Sequence, residues 1–361
     1  MSLIPLSAGF LPLLDSVLLV LAREKGFAES EGLDLHLVRE TSWANIRDRA
    51  ALGHFDFAMM LAPMPLAATL EAGPVGAALA KVVKASPRKF RFGVVHQTSS
   101  HNYELRYWLS ASGIVPDRDI EIVVLPPPYL PDALGSGGID GYCVGEPWNS
   151  IGVSREGAHI ATVKASIWRN SPDKVIGMRA HWAEANADVV AALIRAVHKA
   201  AVYCGMPENH DEIARIMAAP HYLGVGPAQI LPALTGRFDI GGGVSVDVPN
   251  HFVPYDLAAN FPWTSHALWF YSQMVRWGEV QHTPERAQLA AQTFRADIYR
   301  AAMAPLKVPV PVNDSKVEGL LSAPTAVTAT QGTVTIGPDG FFDGKLFDPA
   351  DVDGYIAGQR G

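Results

Sequence analysis

The chain has 361 residues, 29 Lys and Arg against 36 Asp and Glu, and a formal net charge of −7. With 48% hydrophobic and 18% charged residues it reads as an ordinary globular protein, long enough for two lobes with substantial cores. The acidic balance and the lack of a long basic run argue against duplex nucleic acid or an anionic membrane as direct partners, and Cys143 and Cys204 alone make no disulfide framework, reading instead as reduced, buried thiols.

Residues 3–22 form an apolar stretch without the basic start of a signal peptide. Pro5, Pro12 and Asp15 interrupt it, and Arg23-Glu24-Lys25 stand where a cleavage site is expected. It also falls short of the ~18 uninterrupted apolar residues of a membrane span. The reading is a strand over 4–8, a Gly9-Phe10-Leu11-Pro12 turn and a helix over 15–25, which makes the expected location the cytoplasm, or the periplasm if a signal was trimmed ahead of Met1. A strand follows over 33–38, then a helix over 43–53 introduced by Thr41-Ser42, good N-cap residues. Residues 55–61 read as an apolar strand, and Pro63-Met64-Pro65 open a helix to 72, proline being acceptable in a first turn. Strands over 90–95, 120–125 and 141–144 enclose a helix over 101–112, ended by Gly113, and a short helix over 130–134. Alternation of this kind predicts parallel sheets between helices. Beyond Ala180 the pattern is helical, over 181–203, 212–217, 265–277 and 285–302, before a Gly/Pro-rich tail with one strand over 333–336. The architecture is two α/β lobes with a helical C-terminal extension, its ligand lying between the lobes near the carboxyl ends of strands.

Few residues carry chemistry. His101 stands where the helix over 101–112 begins, and there the unpaired backbone N–H groups and the helix dipole favour negative charge. A protonated imidazole at that point calls for an anion beside it; the alternative is a neutral histidine bonded locally. Trp43 offers an indole N–H and a flat wall for a planar ion, or simply packs. Lys174, between the Pro172 turn and an apolar strand, supplies a point charge to a ligand or stays solvated. Glu146, in Gly145-Glu146-Pro147-Trp148-Asn149, holds a lysine, binds a cation or shapes a turn. Gly241-Gly242-Gly243 lacks the context of a phosphate loop, no hydrolase or zinc motif occurs, and the twelve histidines show no metal-ligand spacing. The expectation is therefore no enzyme, no metal and no cofactor.

Several blocks resemble the NrtA/CmpA family of nitrate- and bicarbonate-binding proteins: Thr41-Ser42-Trp43-Ala44-Asn45-Ile46-Arg47-Asp48, Ala62-Pro63-Met64-Pro65, His101-Asn102-Tyr103-Glu104-Leu105-Arg106-Tyr107-Trp108, Cys143-Val144-Gly145-Glu146-Pro147-Trp148-Asn149, Phe261-Pro262-Trp263-Thr264-Ser265-His266-Ala267-Leu268-Trp269, Arg276-Trp277-Gly278, and Phe342-Asp343-Gly344-Lys345-Leu346-Phe347-Asp348-Pro349. The nearest pattern is that of the signal-less NasS-type nitrate/nitrite sensors. The resemblance implies an α/β, type II periplasmic-binding-protein-like fold of two lobes with a ligand cleft between them, lobe 1 comprising 1–92 plus 179–361 and lobe 2 comprising 93–178. It implies Trp43, His101 and Lys174 as ligand residues, supported by Pro63, Asn102 and Glu146. Nitrate binders carry a lysine at the position of Lys174 and bicarbonate binders a glutamate, so nitrate or nitrite is the expected ligand. Family members also carry an extra segment of some tens of residues between Val75 and Gly76, with a glycine-rich loop that gives an amide to the ligand. The function implied is a cytoplasmic sensor that holds a NasT-type RNA-binding antiterminator and releases it on binding the anion. The alternative is a periplasmic receptor delivering nitrate to an ABC permease.

Overall fold

The computed structural model describes residues 3–51, 54–61 and 74–359. Strands β1 (Ile4–Phe10), β2 (Leu33–Arg39), β3 (Phe57–Leu61), β4 (Phe90–Val94), β5 (Ile120–Val124), β6 (Gly141–Cys143) and β7 (Lys174–Gly177) build two sheets. The first has the order β2-β1-β3-β7. Its first three strands are parallel, and β7 runs antiparallel to β3 with Lys174 opposite Leu61. The second is wholly parallel, β5-β4-β6, with Phe90 opposite Ile120 and Val94 opposite Cys143. Parallel neighbours need crossovers, and helices α1 (Val17–Glu24), α2 (Trp43–Ala51), α3 (Pro74–Ala85) and α4 (Ser100–Ala111) supply several of them.

Each lobe has its reason in the sequence. The carboxyl half of β1 is buried, Leu6, Ala8 and Phe10 included, as a near-continuous apolar strand covered on both faces should be. Helix α1 buries Val17, Leu19, Val20, Leu21 and Ala22 in the same core as the long helix Ala187–Cys204. Each fully buried branched aliphatic side chain contributes roughly 1.5–3 kcal/mol. The second core joins Phe92, Val94, Tyr103, Tyr107 and Trp108 of β4 and α4 to residues far along the chain. The helix Thr264–Arg276 brings Trp269 within 4.2 Å of Trp168, centroid to centroid, and Phe341 of the tail stacks on Trp168 at 4.8 Å. The C-terminal extension thus roofs the second sheet.

Two long helices expected from the sequence are each two helices. The run over 181–203 divides into Ala180–Ala185 and Ala187–Cys204 because Asn186, at φ −126 and ψ 39, leaves helical geometry. The run over 285–302 divides into Pro284–Thr293 and Ala296–Met303 at Phe294 and Arg295, both non-helical. The helices Trp148–Glu156 and Pro227–Thr235 were not foreseen; the second contains Pro232, which masks its pattern. The strand over 333–336 exists and pairs antiparallel with Thr325–Thr328. The expected helix opening at Pro63, and Pro63 itself, lie outside the described residues. Among the described residues no single helix is long and apolar enough to cross a membrane.

Candidate anion-binding site

The carboxyl ends of the strands bring the candidate residues together. Asp15 follows β1 in the short turn Leu14–Ser16, and Trp43 begins α2 after β2. His101 is the second residue of α4 after β4, and Gly145 and Glu146 follow β6. Lys174 begins β7, and because β7 is antiparallel its start lies beside Leu61, where β3 ends. Ligands of open α/β sheets bind in the crevice outside such strand ends. A cavity of about 1790 Å³ opens there, with Asp15, His101, Glu104, Glu146, Lys164 and Lys174 on its walls.

Lys174 is largely shielded rather than solvated, its side chain 9% exposed. Its Nζ lies 2.8 Å from Asp15 Oδ2 and 2.5 Å from Asp173 Oδ2, and 5.9 Å from the centroid of the Trp43 ring. Burial alone pulls an ammonium down, but the two carboxylates outweigh it and hold Lys174 above its ordinary value. Asp173 also accepts from Ser100 Oγ at the start of α4 and has Lys164 Nζ at 3.7 Å. Burial opposes its ionisation, yet Lys174 and Lys164 hold it well below the usual carboxylate range. Asp15 goes the other way: burial outweighs the pull of Lys174, Asp173 adds repulsion, and its carboxyl is raised. Glu104, 2.7 Å from Lys164 Nζ, is pushed by burial up to about 7.

Of the two readings of His101, charged or neutral, its burial favours the neutral one. Burial pushes it down to about 3, so at neutral pH it is a neutral ring. Ser99 caps α4 by accepting from Asn102 N at 3.0 Å, which fixes where the histidine starts. Its Nδ1 and the Nε1 of fully buried Trp43 have no hydrogen-bond partner among the described residues. A buried polar group left unpaired costs roughly 1–3 kcal/mol, so the Trp43 indole N–H favours an incoming acceptor and His101 Nδ1 a partner matched to its tautomer.

The flanking residues brace the site. Asn102 donates from Nδ2 to Gln97 O at 2.6 Å and accepts from Arg106 at 3.3 Å, tying down the loop before α4. Glu146 accepts from Ser150 N at 3.2 Å, and burial pushes its carboxyl up to about 6. Its backbone oxygen accepts from Leu14 N at 3.1 Å, and Trp148 Nε1 donates to Pro12 O at 3.2 Å, which binds the loop after β6 to the turn after β1. Gly145 gives room here: a Cβ on it would stand 3.0 Å from Asp15 Oδ2, so that carboxylate would have to shift. Sequence reasoning missed Asp15, Glu104, Lys164 and Asp173. The available signal was a charge inside an apolar run, as with Asp15 within residues 3–22.

Similarity to known proteins follows the same chain. The NMT1-like family model matches residues 4–77 and 71–218, so its two matched pieces meet at 71–77. The nitrate/nitrite binding protein NrtA of Synechococcus elongatus is 31% identical over 401 aligned positions that cover 98% of this chain and 85% of the relative. That alignment is longer than the chain, so the relative carries segments with no counterpart here. The nitrate import ATP-binding protein NrtC of Synechocystis is 32% identical over 98% of this chain, which spans 55% of that protein's length. The crystal structure of the periplasmic nitrate-binding protein NrtA from Synechocystis superposes with a TM-score of 0.86 at 25% identity, covering 98% of each chain, and is a two-lobed binding protein like the fold described above.

Proposed function

The chain belongs to the NMT1-like family and, within it, to the NrtA/CmpA group, and from that premise we propose that it binds nitrate or nitrite and passes the anion to an ABC permease. One observation carries the reading: the largely shielded ammonium of Lys174 at the meeting point of strand ends, with the unpaired indole N–H of Trp43 and the unpaired His101 Nδ1 in the same region. Nitrate and nitrite accept hydrogen bonds and donate none, so the Lys174 ammonium and the Trp43 indole N–H suit them. The matched relatives are binding proteins, and the role here is recognition rather than turnover.

The names of the relatives favour transport: one is a periplasmic nitrate-binding protein and another a nitrate import ATP-binding protein. A periplasmic place goes with that role. The sensor that holds a NasT-type antiterminator has no such support among these relatives and stands second. Calorimetric titration with nitrate, nitrite and bicarbonate tests the binding claim. Wild-type protein is expected to bind nitrate or nitrite, and Lys174→Glu to lose at least about a hundredfold in affinity, since a charge-assisted bond of roughly 1.5–3 kcal/mol becomes repulsion. Absence of nitrate and nitrite binding overturns it. Capture of a NasT-type antiterminator by the anion-free protein would turn the transport reading into the sensor.

A further inference from the structure

The ammonium that an incoming anion needs is already held. Lys174 donates to Asp173 and lies within ion-pair distance of Asp15. The two carboxylates are not equivalent. Asp173 is fixed by Ser100 and Lys164 as well as Lys174. Lys174 is the only group among the described residues in ion-pair contact with Asp15, whose Oδ2 makes no well-formed hydrogen bond. A carboxylate is a planar, delocalised monoanion with two acceptor oxygens, the same shape and charge as nitrite and close to nitrate. Asp15 also stands beside His101, the gap between them being no wider than the space over Gly145.

Resting on the anion-binding reading above, we propose that Asp15 is a resident competitor for Lys174, and that nitrate or nitrite binds as Asp15 takes up a proton. The balance is one solvent proton on the Asp15 carboxyl and one anion on the freed Lys174 donor, so the net charge of the site is unchanged. With Asp15, Asp173 and Glu104 all ionised, three carboxylates would face the ammonium groups of Lys164 and Lys174, and a further anion would be repelled. The groups facing Asp15 are Lys174 and Asp173 at the start of β7, Lys164 from the helix Lys164–Ile167, His101 from α4 and Glu146 from the loop after β6. Burial raises the Asp15 carboxyl in spite of its lysine, the direction that proton uptake needs.

The test is calorimetry of nitrate and nitrite binding to the full chain in buffers of different ionisation enthalpy across pH 5–8 (about three units), with thermal melts to confirm folding. Wild-type protein is expected to take up close to one proton per anion, with affinity falling toward about tenfold per pH unit as pH rises. Asp15→Asn is expected to bind more tightly than wild type at the alkaline end and to lose most of that slope. Binding without proton uptake overturns the proposal and leaves the anion receptor standing. So does a folded Asp15→Asn with unchanged slope, or proton uptake abolished by Glu104→Gln alone. Absence of binding at every pH overturns the receptor reading, and this proposal with it. The proton count on wild type stands even if Asp15→Asn does not fold.

Discussion

Lys174 and Lys316 are each buried between two carboxylates, one at the strand ends and the other in the C-terminal extension, and their surroundings differ in one respect. Lys316 pairs with Glu318 and Asp339. Ser265 Oγ donates to Glu318 at 2.6 Å, His266 Nε2 lies 3.4 Å from it, and Leu321 N donates to Asp339 at 2.8 Å. Burial works against ionised Glu318, but Lys316 and His266 overcome it and hold the carboxyl at about 2. Around Lys174, in contrast, Asp15 is raised, Glu104 reaches about 7, and Trp43 Nε1 and His101 Nδ1 lack partners among the described residues. A network with every polar atom satisfied fixes a fold; one with unsettled charge and unpaired polar atoms is ready to receive something.

The contrast breaks most visibly by deleting each lysine. Lys316→Met leaves two buried carboxylates unpaired and is expected to cost about 3–5 kcal/mol in a urea melt. Lys174→Met is expected to cost clearly less stability, because Asp15 can protonate, while abolishing anion binding. Equal losses of stability would erase the distinction. Acid and alkaline limbs sharpen it next. Glu318 lies below its ordinary value of 4.5, so its contribution, about 3 kcal/mol, is present above pH 4.5 and lost as pH falls through about 2. Glu104 lies above 4.5, so what it lends, again roughly 3 kcal/mol, is present below pH 4.5 and lost as pH rises through about 7. Melts of Glu318→Gln and Glu104→Gln across pH should flatten opposite limbs, and flattening of the same limb would refute the assignment. The smallest effect belongs to Ser99→Ala, about 1 kcal/mol from loss of the α4 cap, with weaker anion binding because His101 loses its anchorage.

Much of this was legible in the sequence. Alternating apolar runs and N-cap residues located β1 to β7 within a few residues, and the two-lobed α/β class followed from that alternation. The resemblance chose Trp43, His101 and Lys174 from many candidates, and the sheets place all three at one set of strand ends. What escaped was anything set by distant contacts. The break at Asn186 is invisible in an alanine-rich helical pattern, and the protonation of His101 depends on burial by residues far away in sequence. Asp15 read only as a blemish in an apolar stretch because its partner lies more than a hundred and fifty residues on.

The stack of Trp168, Trp269 and Phe341 sets an order on how the protein is made. Strand β4 and helix α4 emerge from the ribosome long before the segments that cover them. At roughly 5–20 residues per second, the aromatic face of α4 waits on the order of ten seconds or more for Trp269, and longer for Phe341. The pairings among β1, β2 and β3 and among β4, β5 and β6 are of short range and can form in that interval, whereas the aromatic core on α4 is completed only once the later segments arrive. Until then an aromatic surface stands open to chaperones, and a chain halted before Trp269 would leave the second core without its lid.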